Sequence, residues 1–309
     1  MSGLCDGRIV IVTGAGGGIG REHALLFARE GAKVVVNDIG GSRSGEGLDA
    51  GPAQQVVDEI KAAGGEAVAN TDDISTWDGA ERIVQQAIET FGGLDVVVNN
   101  AGILRDRMMT NMTEAEWDAV IKVHLRGTFA TSHHAAVYWR ERSKAGDEVD
   151  ARLINTSSSS GIYGNVGQSN YGAAKAGIAA FTVITSQELG RYGVTVNAIA
   201  PTALTRMTED LGMMEAIGEE GRAAIGPETI SPLVVWLGST QSSGVTGRVF
   251  GVFGNKISVA EGWAYGPSAD RDTIWEPGEL GEVIPGLVAE AAPNAPMSGV
   301  RAAAADFRG

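Results

Sequence analysis

Residues 8–38 read RIVIVTGAGGGIGREHALLFAREGAKVVVND, and this stretch decides the fold. Residues 8–13 are an apolar run too short for a core helix, so they read as a buried strand. Seven residues, Gly14 to Gly20, turn the chain, and five of them are glycine. A helix follows from about Ile19 to Arg29 and stops at Gly31. Residues 33–38 give a second strand. Strand, helix, strand over this length is a crossover unit, which implies parallel pairing.

The turn carries glycines at 14, 18 and 20, the pattern G-x-x-x-G-x-G. The commoner G-x-G-x-x-G does not fit, because Ile19 takes its last place. Glycine lets the backbone turn tightly and approach a pyrophosphate, which would rest on the helix N-terminus. Asp38 ends the second strand, where an acid can bond the ribose of an adenosine. A carboxylate there repels a 2′-phosphate, so NAD is favoured over NADP. Asp38 could equally be a strand-end turn residue. Arg43 favours NADP only if the loop at 39–47 folds back.

Outward from this unit the alternation continues. Helices are expected at 52–63, 76–91, from the Thr113–Glu116 capping box to about Arg142, from Tyr171 to about Arg191, and at 227–238. Strands are expected at 66–70, within 94–102, and at 151–158, 194–200 and 247–254, with Pro201 ending the sixth. The Val/Ile runs lack polar alternation, as in a parallel sheet covered on both faces. The expected fold is therefore α/β: a single Rossmann-type, doubly wound parallel sheet of about seven strands with helices on both faces. We expect one domain over 1–309, a helical substrate lid at about 203–224, and an extension at about 255–309 that fades into Ala and Pro.

Residues 153–175, LINTSSSSGIYGNVGQSNYGAAK, bring the chemistry. Tyr171 and Lys175 are four apart, so a helix puts them on one face, about 6 Å apart along the axis. Ser158 closes the preceding strand. Hydroxyl, phenol and ammonium together suit moving a proton on and off an alcohol oxygen. Bringing a phenol from about pH 10 to about pH 7 takes roughly 4 kcal/mol. A cation about 6 Å away supplies roughly 3 kcal/mol at an effective dielectric near 20. Lys175 with an oxidised nicotinamide would therefore suffice, while Ser158 holds the substrate oxygen. Tyr-x-x-x-Lys alone would be an ordinary solvated helix face; Ser158 and the glycine turn change that reading.

Composition narrows the partners. The chain has 309 residues, 43% of them hydrophobic, enough for one sizeable core. A net charge of −14 argues against nucleic acid and anionic membrane. Cys5 is the only cysteine, which fits a reducing compartment. The first residues lack the features of a signal peptide, no apolar run is long enough to span a membrane, and DFRG is not a peroxisomal address. The expected location is cytoplasmic.

TGAGGGIG, NNAG at 99–102, Ser158, YGAAK and NAIAP at 197–201 together resemble a classical short-chain dehydrogenase/reductase, from residue 6 to about 254. The resemblance implies a hydride exchanged with C4 of a nicotinamide, Tyr171 as acid/base, and Ser158 polarising the substrate oxygen. Lys175 would bind the nicotinamide ribose and lower the Tyr171 pKa. Gly14, Gly18, Ile19, Gly20 and Asp38 would hold the cofactor, with Asn100, Ala101 and Gly102 beside it. Asp73 with Ile74 would touch adenine, and Thr205, four after Pro201, the carboxamide. The family's PG is Pro201-Thr202 here. Its relay asparagine on the fourth helix is His124, which we place with the catalytic group as a tolerated replacement acting through its main chain, not as a second base.

VVVNDIGG, NNAGILRDRM, VHLRGTF, SSGIYGNVGQSNYGAAKAG and SPLVVWL are similar, more narrowly, to the (3R)-hydroxyacyl-CoA dehydrogenase part of peroxisomal multifunctional enzyme type 2. The human form of that family is also described as a 17β-hydroxysteroid dehydrogenase. The tail from AEGWAYGP more closely resembles that of stand-alone actinobacterial relatives. The implied substrate is an acyl-CoA or a steroid. A 3-hydroxyacyl-CoA dehydrogenase is the first reading, a dehydrogenase of a free hydroxysteroid or other bulky alcohol the second, and a non-catalytic NAD(H) sensor the third. Arg105 and Arg107 could collect coenzyme A phosphates or form surface ion pairs. His133 and His134 have no partner at metal-ligand spacing, so no metal is expected. Trp263 and Trp275 would pack the tail onto a neighbouring subunit of a homotetramer or homodimer, built on the helices 113–142 and 169–192.

Overall fold

The computed structural model describes residues 3–41, 44, 47, 51–203 and 225–301. The first unit is β1 (Ile9–Thr13), α1 (Gly18–Arg29) and β2 (Lys33–Asn37), followed by α2 (Gly51–Ala62), β3 (Glu66–Asn70), α3 (Trp77–Phe91) and β4 (Val96–Asn99). All five β1 residues are buried. Successive side chains on a strand face opposite ways. Val10 and Val12 accordingly enter one core with Val34, Val36 and Phe27. Ile9 and Ile11 enter the other with Val35, Val97 and Trp139. Each fully buried side chain of this kind is worth about 1.5–3 kcal/mol. That two-sided demand explains the absence of polar alternation.

The next helix begins at Thr113, whose hydroxyl and Glu116 form the expected capping box, but it is not continuous. It comprises α4 (Glu114–Ile121), a π-helical turn at Lys122–Arg126, and α5 (Gly127–Ala145). Then come β5 (Ala151–Thr156), a short helix α6 (Ser159–Tyr163), α7 (Ser169–Leu189), β6 (Val194–Thr202), α8 (Ser231–Gly238) and β7 (Val249–Phe253). The sequence reading missed α6. It is a single five-residue turn capped by the Ser158 hydroxyl, too short to show periodicity.

Two further elements, β8 (Lys256–Ala260) and α9 (Leu280–Glu290), lie in the C-terminal extension, where no strand or helix was expected. The sheet therefore has eight strands, in the order β3-β2-β1-β4-β5-β6-β7-β8, and only the β7–β8 pair is antiparallel. Phe253 pairs with Lys256, so Gly254-Asn255 is a two-residue hairpin turn, and Gly254 has a φ of +52°. Gly-x in that place is a hairpin signal that could have been read. Pro201 does not end β6. The last β5 pair is Thr156 with Ile199, while β7 pairs on to Thr202. Pro201 thus costs no ladder bond to β5.

The chain winds from β1 outward to β3, then returns to place β4 against the other side of β1. That reversal opens a crevice beyond the carboxyl ends of β1 and β4, the usual ligand position in such sheets. Thr13 and Asn99 end those strands, so the glycine turn and NNAG face each other. Among the described residues, no helix is long and apolar enough to cross a membrane.

Candidate active site

Hydrogen bonds stitch the two strand ends together. The Thr13 hydroxyl accepts from the Asn100 and Ala101 amides at 3.0 and 3.1 Å. The Asn100 side-chain amide donates to the carbonyls of Thr13 and Gly14 at 3.0 and 3.1 Å. Gly14 has a φ of +63°, and a Cβ there would lie 2.6 Å from the Ala101 Cα. Only glycine fits that approach. Thr13 was not singled out from the sequence, although it carries half of the stitch.

Beyond this turn, α1 starts at Gly17 with no side-chain cap and no acid in its first turn. Its first N–H groups are therefore not used by a side chain, and they suit an anion. The Asp38 carboxylate accepts from the Gly16 amide at 2.8 Å and the Gly40 amide at 2.7 Å. A Cβ at Gly16 would lie 2.9 Å from that carboxylate and 2.7 Å from the Pro52 side chain. Asp38 thus braces the turn, and each oxygen keeps a lone pair for a ribose hydroxyl. The residues present fit a dinucleotide.

Asp73 and Ile74 follow β3 on the same edge. The Asp73 side chain accepts from the Ser75 amide at 2.9 Å, and its carbonyl from Thr76, the cap of α3. Ile74 is buried, and its side chain packs where a Cβ on Gly127 would stand. Only its main chain is left to face a ligand. Thr205 and Arg43, and the lid at 203–224 apart from Ala203, lie outside the described residues.

Ser158, Tyr171 and Lys175 come together where β5 meets α7. The Lys175 ammonium donates to the Thr156 carbonyl at 2.6 Å, and the Ser157 hydroxyl donates to the Lys175 carbonyl at 2.8 Å. Lys175 is thereby clamped at both ends of the residue. Gly161 lets α6 cross α7 at this point, since a Cβ there would lie 2.5 Å from the Ala176 nitrogen. The Lys175 Nζ lies 5.5 Å from the Tyr171 ring centre. The Ser158 hydroxyl is close enough to the Tyr171 phenol to act on its ionisation.

Burial acts against the ionised form of both Tyr171 and Lys175. Burial pushes the Tyr171 phenol above its ordinary value; the Ser158 hydroxyl opposes this, and the Asp106 carboxylate adds to it. Burial also pushes the Lys175 ammonium down to about 7. Lys175 alone therefore does not bring the phenol into range. Its charge is itself costly in this place, because desolvation acts on both groups against their ionised forms.

His124 sits in the π-turn, 1% exposed. Burial pushes its pKa down to about 3, the nearby Lys175 charge acting the same way. Both influences favour the neutral imidazole. The helix deviates locally here, as a relay through the main chain would require.

A buried asparagine missed in the sequence aligns the site. The Asn170 side-chain amide donates to the Arg105 carbonyl at 3.0 Å and the Glu116 carbonyl at 3.2 Å. Its oxygen accepts from the Tyr171 amide at 2.7 Å. The start of α7 is thus tied to α4 and to the loop after NNAG. A lone Asn before Tyr carries no spacing signal, so nothing local could have marked it. Arg107 pairs with Glu116 at 2.8 Å, the surface ion pair considered above. Arg105 donates to the Ser44 carbonyl at 3.0 Å. His133 and His134 pack against Trp77 with tilted rings, at 4.7 and 4.5 Å between ring centres. Trp263 is 98% exposed within the single chain.

Residues 8–216 match the family model described as short chain dehydrogenase. A hydroxyacyl-CoA dehydrogenase, ChsB1, of Mycobacterium tuberculosis is 45% identical over 287 residues, covering 89% of this chain and 86% of that protein. The peroxisomal multifunctional enzyme type 2 of Mus musculus is 46% identical over 232 residues, 75% of this chain but 30% of its own length. A crystal structure of a short chain dehydrogenase from Mycobacterium avium has 59% identity and a TM-score of 0.86, covering 95% of this chain and 99% of that one.

Proposed function

The chain belongs to the short-chain dehydrogenase family and is an oxidoreductase that uses a nicotinamide cofactor, and we propose that it interconverts a 3-hydroxyacyl-CoA and its 3-ketoacyl-CoA with NAD. The observation that carries the chemistry is the meeting of Ser158, Tyr171 and Lys175 beside the β1–β4 crevice. The relative named a hydroxyacyl-CoA dehydrogenase, alike over 89% of the chain, supports the substrate class. The chain spans 30% of the multifunctional relative, so nothing of that protein's other activities is carried over.

In this reading Gly14, Gly18, Ile19, Gly20 and the N-terminus of α1 hold the pyrophosphate. Asp38 takes the adenosine ribose, and Asp73 with the Ile74 main chain flanks the adenine. Asn100, Ala101, Gly102 and Pro201 line the nicotinamide end. A nicotinamide dinucleotide, when bound, supplies the two-electron acceptor and a positive charge. Ser158 holds the substrate hydroxyl by a hydrogen bond. Tyr171 removes its proton in oxidation and returns it in reduction. Lys175, held by Thr156, bonds the ribose and keeps a positive charge behind the phenol. The exposed Phe129, Val183 and Ile184 on the outer faces of α5 and α7 support a homo-oligomer.

The test is a panel of (3R)- and (3S)-3-hydroxyacyl-CoA thioesters and free 17β-hydroxysteroids, each offered with NAD and with NADP. The expected result is reduction of NAD by a 3-hydroxyacyl-CoA, with lower efficiency for NADP. Asp38→Ser should narrow the gap between the two cofactors, because it removes the repulsion of a 2′-phosphate. It should also weaken NAD itself, because the Gly16 brace goes with it. Turnover of steroids alone would move the assignment to the second substrate class. Equal efficiency with both cofactors would refute the role given to Asp38.

A further inference from the structure

The His124 side chain has contacts that a tolerated replacement would not need. Its Nε2 lies 2.8 Å from the carbonyl oxygen and 3.0 Å from the amide nitrogen of Ile103. Either tautomer therefore leaves the ring bonded to the Ile103 backbone, through one or the other of its two peptide groups. The imidazole meets the Tyr171 ring edge-to-face, with centres 5.2 Å apart and planes at 88°. Such pairs are worth about 0.5–1.5 kcal/mol beyond burial. On its third side is Gly102, where a Cβ would lie 2.3 Å from the imidazole Cε1. The ring thus fills the space between the Gly102–Ile103 backbone and the phenol.

The π-turn explains how it gets there. One extra residue in a turn rotates everything after it by about 100°. Val120 on the near side packs with Ile103 and Ala174 of α7 in a small cluster of its own, and His124 within the turn meets Tyr171 of α7. Thr128 and Ser132 beyond the turn are buried towards β4, where Ser132 meets Asn99 at 2.9 Å. A regular helix could not serve both neighbours with the same residues.

We infer that the His124 imidazole is a positioning residue for Tyr171: it locks the Ile103 peptide, braces the phenol edge-on, and exchanges no proton with substrate. The inference rests on Tyr171 being the acid/base. It differs from a relay through the main chain, because it depends on the ring. It differs from general-base catalysis, because the neutral, buried ring has no titration to contribute. The titratable groups facing it are Lys175 and Tyr171, both from α7.

Three variants, His124→Ala, His124→Phe and Tyr171→Phe, tested together decide the matter. Misplacing a reacting group by about 1 Å can cost about a hundredfold in rate. His124→Ala is expected to lower kcat ten- to a hundredfold on this scale, with substrate KM changed by no more than about threefold. The pH limb of kcat/KM that reports the phenol should move, and no limb near pH 6.5 should disappear. His124→Phe restores the edge contact without any titrating nitrogen, so it should recover part of the lost turnover. If His124→Ala does not fold, His124→Phe still carries the test. Full activity in His124→Ala would make the ring a spectator and overturn the inference. Equal inactivity of the Ala and Phe variants, with loss of a limb between about pH 6 and 7, would make it a base and overturn it too. Should Tyr171→Phe keep its activity, the underlying assignment fails whatever the His124 variants do.

Discussion

Tyr171→Phe should bind NAD as the parent does and turn over at least about a hundredfold more slowly, within the range that general acid–base catalysis supplies. The substitution removes one oxygen. The glycine turn, Asp38 and the Asn100 stitch lie on other elements and keep their bonds. The ring stays, so the edge contact with His124 survives. What is lost is the phenol that stands beside Ser158. Steady-state oxidation rates, with NAD affinity measured on the same preparation, check this. Turnover within tenfold of the parent would remove Tyr171 from the proton-transfer role.

Lys175→Met should fail as an enzyme and gain as a fold. Loss of the ammonium removes the ribose contact and the charge behind the phenol, so turnover should fall by about a hundredfold or more. Stability should move the other way. In the folded protein the ammonium holds its proton only up to about pH 7, against an ordinary value of 10.5. The unfolded chain binds more protons between those limits, so the parent gains stability as pH rises through that window. At or below pH 7 the buried charge costs its full amount, on the order of a few kcal/mol. The raised values of Cys5 and Tyr171 act in the opposite sense above about pH 9, so the clean window is pH 7 to 9. Thermal unfolding without NAD should show the parent stabilising across that window and the Met variant staying flat. The Met variant should also melt higher at pH 7. A lower melting point and an unchanged slope would mean that Lys175 is solvated enough to carry its charge freely.

The sequence showed what depends on local spacing. Gly14 and the run to Gly20 announced a backbone approach that the Ala101 contact requires. Tyr171 and Lys175 announced one helix face. The Val/Ile runs announced strands buried on both sides. What stayed hidden depends on a partner far along the chain. Asn170 matters because Arg105 and Glu116 are within reach, 65 and 54 residues away. The π-turn needs the shape of α7 and NNAG on either side of it. Desolvation of Lys175 is set by everything packed around it, so the four-residue spacing suggested an activating charge and concealed its cost. The β7–β8 hairpin is a different case: its turn signal, Gly254-Asn255, is local and readable.

The central claim is that Tyr171 transfers the proton and that its phenol becomes a useful base only when the cofactor's charge joins that of Lys175. The most direct measurement is the phenolate absorbance of the parent minus that of Tyr171→Phe, titrated with and without saturating NAD. Without NAD, the difference should ionise above the ordinary range of a phenol, because burial dominates. With NAD bound, it should ionise near neutrality, about 3 pH units lower than an ordinary phenol. An identical titration in the two states, both above the ordinary value, would contradict the claim.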